Sequence, residues 1–333
     1  MEIAQDTSVA TTSLTPNQRE ITTEPRRSDK VFRNIVSLVA LSAFAILALI
    51  GIFLAVRGFE TFKSQGLHFL TGYEWEVLQD DAGNVTAKFG IGAMLVGTIM
   101  IALVALSVGV PLSILAALYL TFYVPERLKK LLVAVVDLMA AFPSILYGLW
   151  GYFVLMPMAI YWAKLLYKYL GWIPVFNVPQ QFFERSPFIA GLVLAIMIIP
   201  IVTSVAREIF SQTPPDRIQA AYALGATRWS MIKTVAMPFG SSGIVGGAML
   251  GLGRAFGETV AVFTVLNIVF KANFHILFGM GGNIASMIVL KWGEASPIET
   301  KALLASGFVL FVLTLLVNFA ADFIVKRTLK SGK

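Results

Sequence analysis

Pro214-Pro215-Asp216-Arg217-Ile218-Gln219-Ala220-Ala221-Tyr222-Ala223-Leu224-Gly225-Ala226-Thr227-Arg228-Trp229-Ser230, closing at Val235-Ala236-Met237-Pro238, stands between two stretches apolar enough to cross a bilayer. Pro214 and Pro215 can only start a helix, Asp216 suits its positive first turn, and Gly225 ends or bends it. The order of these residues predicts a short helix, a glycine corner and a second helical arm stopped by Pro238. An ordered polar segment between two spans is expected to rest against a partner.

The rest of the chain is consistent with a membrane setting. Of 333 residues, 57% are hydrophobic and 14% charged, with a mean hydropathy of +0.78, far from the balance of a soluble domain. There is no cysteine, which excludes disulfides, thiolate metal sites and cysteine nucleophiles, and only His68 and His275 could supply imidazole. The net charge of +7 fits cationic flanks that orient spans better than it fits nucleic acid, which is not an expected partner.

Apolar length and flanking charge predict an all-α integral membrane protein with six transmembrane helices at about 35–56, 91–123, 131–156, 188–206, 243–270 and 301–325. These lie in a transmembrane domain over 31–327, with the Pro214 loop at 207–238, a disordered tail at 1–30 and a short tail at 328–333. Sixteen of the 26 Lys and Arg residues fall in the tails, the 127–130 turn and the 207–233 loop; nine fall in the three opposite loops, and Arg254 lies inside a span. The positive-inside rule then puts both termini and the Pro214 loop in the cytoplasm. The stretch 274–292 is moderately apolar but broken by Gly279, Gly281 and Gly282, so it is expected to be an external loop with a partly re-entrant helix. The stretch 158–170 has the aromatic and lysine mixture of an interfacial helix, and 72–88 is expected to be a solvated turn.

The fifth span carries the chemistry. Gly251-Leu252-Gly253-Arg254-Ala255-Phe256-Gly257-Glu258-Thr259 places an arginine and a glutamate four residues apart in an apolar helix. At about 1.5 Å per residue from Gly243, they lie roughly 17 and 22 Å in, near mid-bilayer. As one continuous helix, 243–270 would set Gly243, Gly247, Gly251, Arg254, Glu258 and Ala261 on a single face turned from lipid. Charges at that depth normally line a polar cavity or an ion path. A plainer alternative is an Arg254 to Glu258 bridge that pins two helices together, with the glycines permitting close packing.

These residues also carry a family resemblance. Gln219-Ala220-Ala221, Gly225, Val235 and Met237-Pro238 resemble the coupling-loop signature of bacterial ABC importer permeases, with Gln219 and Met237 departing from the usual Glu and Leu. The string from Gly251 to Val262, with Phe142-Pro143-Ser144-Ile145-Leu146-Tyr147-Gly148-Leu149-Trp150-Gly151 and Trp292-Gly293-Glu294-Ala295, resembles more specifically the PstC-type permease family of the phosphate-specific ABC importer. The resemblance covers about 33–327.

The resemblance implies a bacterial cytoplasmic-membrane subunit that imports inorganic phosphate and is not itself an enzyme. It implies a homologous sister permease, PstA, a dimer of the ATPase PstB that binds ATP and magnesium, and the external phosphate-binding protein PstS; no cofactor is expected on this chain. Lipid surrounds it. The substrate path implied is Arg254, Glu258 and Thr259, and the ATPase-coupling residues are Gln219, Ala220, Ala221, Gly225, Ala226 and Thr227. The chain has no Gly-x-x-x-x-Gly-Lys-Ser/Thr loop for ATP, consistent with a separate motor. A permease for sulfate or molybdate, and a membrane scaffold that reports phosphate to a cytoplasmic kinase, are the alternatives.

Overall fold

A computed structural model describes residues 27–79 and 85–331. Six of its helices are long and apolar enough to cross a membrane: Arg27–Gln65, Gly92–Phe122, Ser144–Leu170, Pro187–Ser211, Arg228–Gly257 and Pro297–Phe323. The chain divides into two compact units, Met1–Ile50 and Gly51–Lys333. In the first unit the described residues are the opening turns of α1 (Arg27–Gln65), which expose Leu38, Leu41, Phe44 and Leu49. The predicted tail at 1–30 lies outside the described residues except at 27–30, which are already helical.

In the larger unit α1 continues to Gln65 and is followed by α2 (His68–Thr71). Antiparallel strands β1 (Trp75–Gln79) and β2 (Val85–Phe89) then pair Trp75 with Phe89 and Val77 with Ala87. The expected solvated turn is therefore a hairpin, held down because Trp75 and Phe89 pack together at 4.8 Å between ring centroids and the Trp75 indole donates to Glu299. Residues 80–84 at its tip lie outside the described residues.

Two central helices, α3 (Gly92–Phe122) and α7 (Pro187–Ser211), form the core on which the site is built. Between them, Ile101, Ala105, Val193, Leu194, Ile198 and Val202 are buried in one apolar cluster. Ser113 donates to the carbonyls of Gly109 and Ile199, and Thr203 donates back to the Ser113 carbonyl, so the hydroxyls at this depth are satisfied across the helix pair.

The third span differs from expectation. The predicted helix 131–156 is broken: α4 (Glu126–Ala141) stops at Phe142, whose ψ of 137° is extended, and α5 (Ser144–Trp150) restarts after Pro143. Proline disfavours helical geometry in the residue before it, and the chain breaks completely at Pro143. A π-helical turn at Gly151–Leu155 leads directly into α6 (Met156–Leu170), so the stretch read as an interfacial helix is the second half of the spanning helix Ser144–Leu170.

After α7 come α8 (Pro215–Ala223), α9 (Arg228–Met231), a π turn at Ile232–Ala236, α10 (Met237–Gly257) and α11 (Val260–Val265). The stretch 274–292 contains α12 (Ile284–Trp292), nine residues and too short to span. The last helix, α13 (Pro297–Ser331), begins earlier than predicted and extends through most of the expected 328–333 tail.

Candidate functional site

The segment from Pro214 to Thr227 forms much as its punctuation dictates. Pro214 caps α8 at its N-terminal end with Asp216 in the first turn, and Gly225 adopts φ +83°, a conformation that side chains disfavour. Its N–H donates to Tyr222 O and that of Ala226 to Ala221 O, closing the corner. Thr227 then caps α9 by accepting from the Ser230 N–H at 3.2 Å. One face is fixed to the bundle, because Ile218, Ala221 and Ala226 pack against a buried cluster that includes Phe210, Met231 and Ile232. The other face carries Gln219, Ala220, Gly225 and Thr227 in the open, with Leu224 90% exposed beside the exposed Tyr222 and Trp229. Large apolar side chains held out on a rigid corner are anchors for a protein surface.

Pro238 does not stop the second arm. α9, the π turn and α10 form one spanning helix, Arg228–Gly257, and the Met237 N–H reaches back to Ile232 O across the widened turn. The wider loop accommodates the missing donor and the bulk of Pro238 where a tight α-turn would not.

The fifth span also ends sooner than its apolar run suggested. α10 terminates at Gly257, Glu258 is extended with ψ 127°, and Leu266 leads away in extended backbone. Glu258 is therefore not four residues further along a helix from Arg254, and the single face expected for 243–270 is divided. Gly247 and Gly251 turn toward Val202 and Ile198 of α7, whereas Leu250, Arg254 and Gly257 are exposed on an adjoining stripe. Among the described residues no ion pair joins Arg254 to Glu258; the pairs there are Lys88 with Glu74, Lys129 with Glu126 and Lys301 with Glu60.

Glu258, only 6% exposed, has a local task. One carboxylate oxygen accepts from the Ala261 N–H at 3.1 Å, capping α11, where a negative charge is favoured by the helix dipole. Asn283 Nδ2 donates to Glu258 O at 2.7 Å, and Ser286 Oγ donates to Thr259 O at 2.8 Å. The backbone groups freed by the helix break thus find partners on α12. Asn283 in turn caps α12 by accepting from the Ser286 N–H at 3.0 Å. Sequence reasoning passed over both residues, although Asn283 directly before the apolar run of α12 is a helix-start signal.

On the other side of α11, Gly148 of α5 lies so close that a Cβ there would sit 2.0 Å from Thr264 Oγ1 and 2.9 Å from Ala261 Cα. Tyr147 donates to Met139 O at 2.6 Å and lines an apolar cavity of about 440 Å³ at the Phe142–Pro143 break. The end of the fifth span thus carries an exposed arginine and a buried glutamate cap.

A multi-pass membrane permease is the class that this fold and these two features define. Residues 109–330 match the family of binding-protein-dependent transport system inner membrane components, and the chain belongs to that family. Within it the chain belongs with the PstC permeases. It is 40% identical over 311 residues to phosphate transport system permease protein PstC 2 of Mycobacterium tuberculosis, covering 92% of this chain and 93% of that one. It is 37% identical over 305 residues to PstC of Haemophilus influenzae, covering 90% and 93%. In fold it is similar to a bacterial alginate ABC transporter solved with its periplasmic protein, with TM-score 0.56, 18% identity and coverage of 92% and 99%.

Proposed function

We propose that this chain is the phosphate-translocating permease subunit of an ATP-driven importer in the bacterial cytoplasmic membrane, with both termini and the Pro214 corner in the cytoplasm. The observation that carries the reading, beside the PstC relationship, is an arginine without a carboxylate partner among the described residues, exposed where the fifth span ends beside a buried glutamate. Arginine stays charged in a membrane and its fork matches two phosphate oxygens. Arg254 attracts the anion. Only one Glu258 oxygen has a protein hydrogen bond among the described residues, so the other is available to accept from the P–OH that phosphate retains near neutral pH. Sulfate has no such proton and meets repulsion there. Thr259 lines the same step.

The open stripe through Leu250, Arg254 and Gly257 faces the sister permease, PstA, and the path runs between the two subunits. PstS delivers phosphate outside. A PstB dimer binds ATP and magnesium and receives Gln219, Ala220, Ala221, Gly225, Ala226 and Thr227 in a cleft, with Leu224 as the apolar anchor. Closure of the motor on ATP moves the corner and rocks the spans between outward and inward access.

Reconstitution of this chain with these partners tests the proposal. ATP-dependent phosphate uptake is expected, with excess sulfate failing to compete. Uptake that sulfate blocks as effectively as phosphate, or no ATP-dependent uptake, would overturn it.

A further inference from the structure

A second guanidinium stands at the far end of α7 from the coupling corner. Arg185 lies in the loop just before α7, which at 25 residues and about 1.5 Å per residue spans roughly 37 Å. In the proposed orientation this is the external side. Its backbone has φ +51°, an unusual conformation for a residue with a side chain, and one that persists only where the surroundings impose it.

The surroundings are specific. Arg185 donates through Nη2 to the Tyr152 hydroxyl at 3.0 Å and through Nη1 to Asn267 Oδ1, and its guanidinium lies 5.0 Å from the Tyr152 ring centroid. Both partners are neutral. Among the described residues no carboxylate pairs with it, the adjacent Glu184 included, so its charge is oriented without being cancelled. The Tyr152 oxygen accepts from Arg185 and leaves its own proton to donate; Asn267 retains both amide protons. These groups line a cavity of about 650 Å³ together with Thr264. Of the other basic side chains of this region, Lys291 lies over the Trp75 and Phe270 rings, and His275 Nδ1 meets Pro174 O.

We propose that Arg185, Tyr152 and Asn267 form an oxyanion-holding station at the external end of the path, one that takes phosphate before it reaches Arg254. The proposal rests on the permease reading above. Asn267 lies two residues beyond α11, whose opposite end is capped by Glu258; the six residues of that helix are only about 9 Å long. An anion at Arg185 therefore needs only a short transfer along α11 to come under the influence of Arg254.

Asn267→Asp is the decisive variant, because it preserves and strengthens the hold on Arg185 while neutralising its charge. In the complete transporter reconstituted in vesicles of neutral lipid, initial phosphate uptake at limiting phosphate is expected to fall at least about tenfold in Asn267→Asp and in Arg185→Gln, with Arg185→Lys recovering part of the loss. Co-purification of the complex checks assembly. A purely structural Arg185 predicts that Asn267→Asp retains full uptake, and that result overturns the proposal. A defect confined to vesicles with anionic lipid also overturns it, since the station would then hold a lipid headgroup. If Arg254→Gln abolishes uptake while Asn267→Asp leaves it intact, the station is wrong and the permease reading stands. If the unmodified complex takes up no phosphate, both fall.

Discussion

The chain turns a corner at each end of the fifth spanning helix, and the two corners are built from different materials. At Gly225 the turn is exposed; a positive φ and two backbone hydrogen bonds make it, and a Cβ there would meet nothing within 4 Å. At Glu258 and Thr259 the turn is sunk in the bundle without a glycine at either position. It is held by a carboxylate on the Ala261 N–H and by Asn283 and Ser286 reaching across from α12. The first corner closes on its own backbone and leaves its remaining peptide groups on the surface, whereas the second must find every partner within the protein. The first corner keeps one face open and the other packed on the bundle; the second is tied to the helix beyond it.

Three substitutions sharpen or break this contrast. Asn283→Ala removes a buried donor to Glu258 O and the cap of α12 together, and is expected to destabilise the protein by about 2–4 kcal/mol, read as a lowered midpoint in denaturant or heat. Gly225→Val leaves the packing untouched but forces a branched side chain into φ +83°; a cost of about 1–2 kcal/mol is expected, together with partner ATP hydrolysis that no longer drives uptake. Full transport in Gly225→Val would show that this corner is not a pivot. Thr227→Ala removes one exposed cap, worth about 0.5–1 kcal/mol. Should Asn283→Ala prove as mild as Thr227→Ala, side chains do not hold the buried corner.

The same contrast explains what the sequence made legible. Pro214, Pro215, Asp216 and Gly225 act on their own neighbours, so α8 and its corner could be read from composition and order. The termination of α10 could not, because Gly257 follows Gly243, Gly246, Gly247, Gly251 and Gly253, none of which ends the helix. What stops it there is a partner set on α12, some 25 residues away. The reach of the third span through the π turn into α6 depended on packing of Gly148 and Gly151 against α11 and α7. Arg254 and Glu258 were expected on one helix face, and the helix break at Gly257 separates them. Arg185 was hidden because nothing in its local sequence distinguishes it; only the fold brings Tyr152 and Asn267 to it.

The central claim is that the Arg254 charge draws the oxyanion, and uptake by the assembled transporter carrying Arg254→Gln tests it most directly. With subunit assembly intact by co-purification, ATP-dependent phosphate uptake is expected to fall at least about tenfold. Uptake at the unmodified rate from that assembled complex would contradict the account.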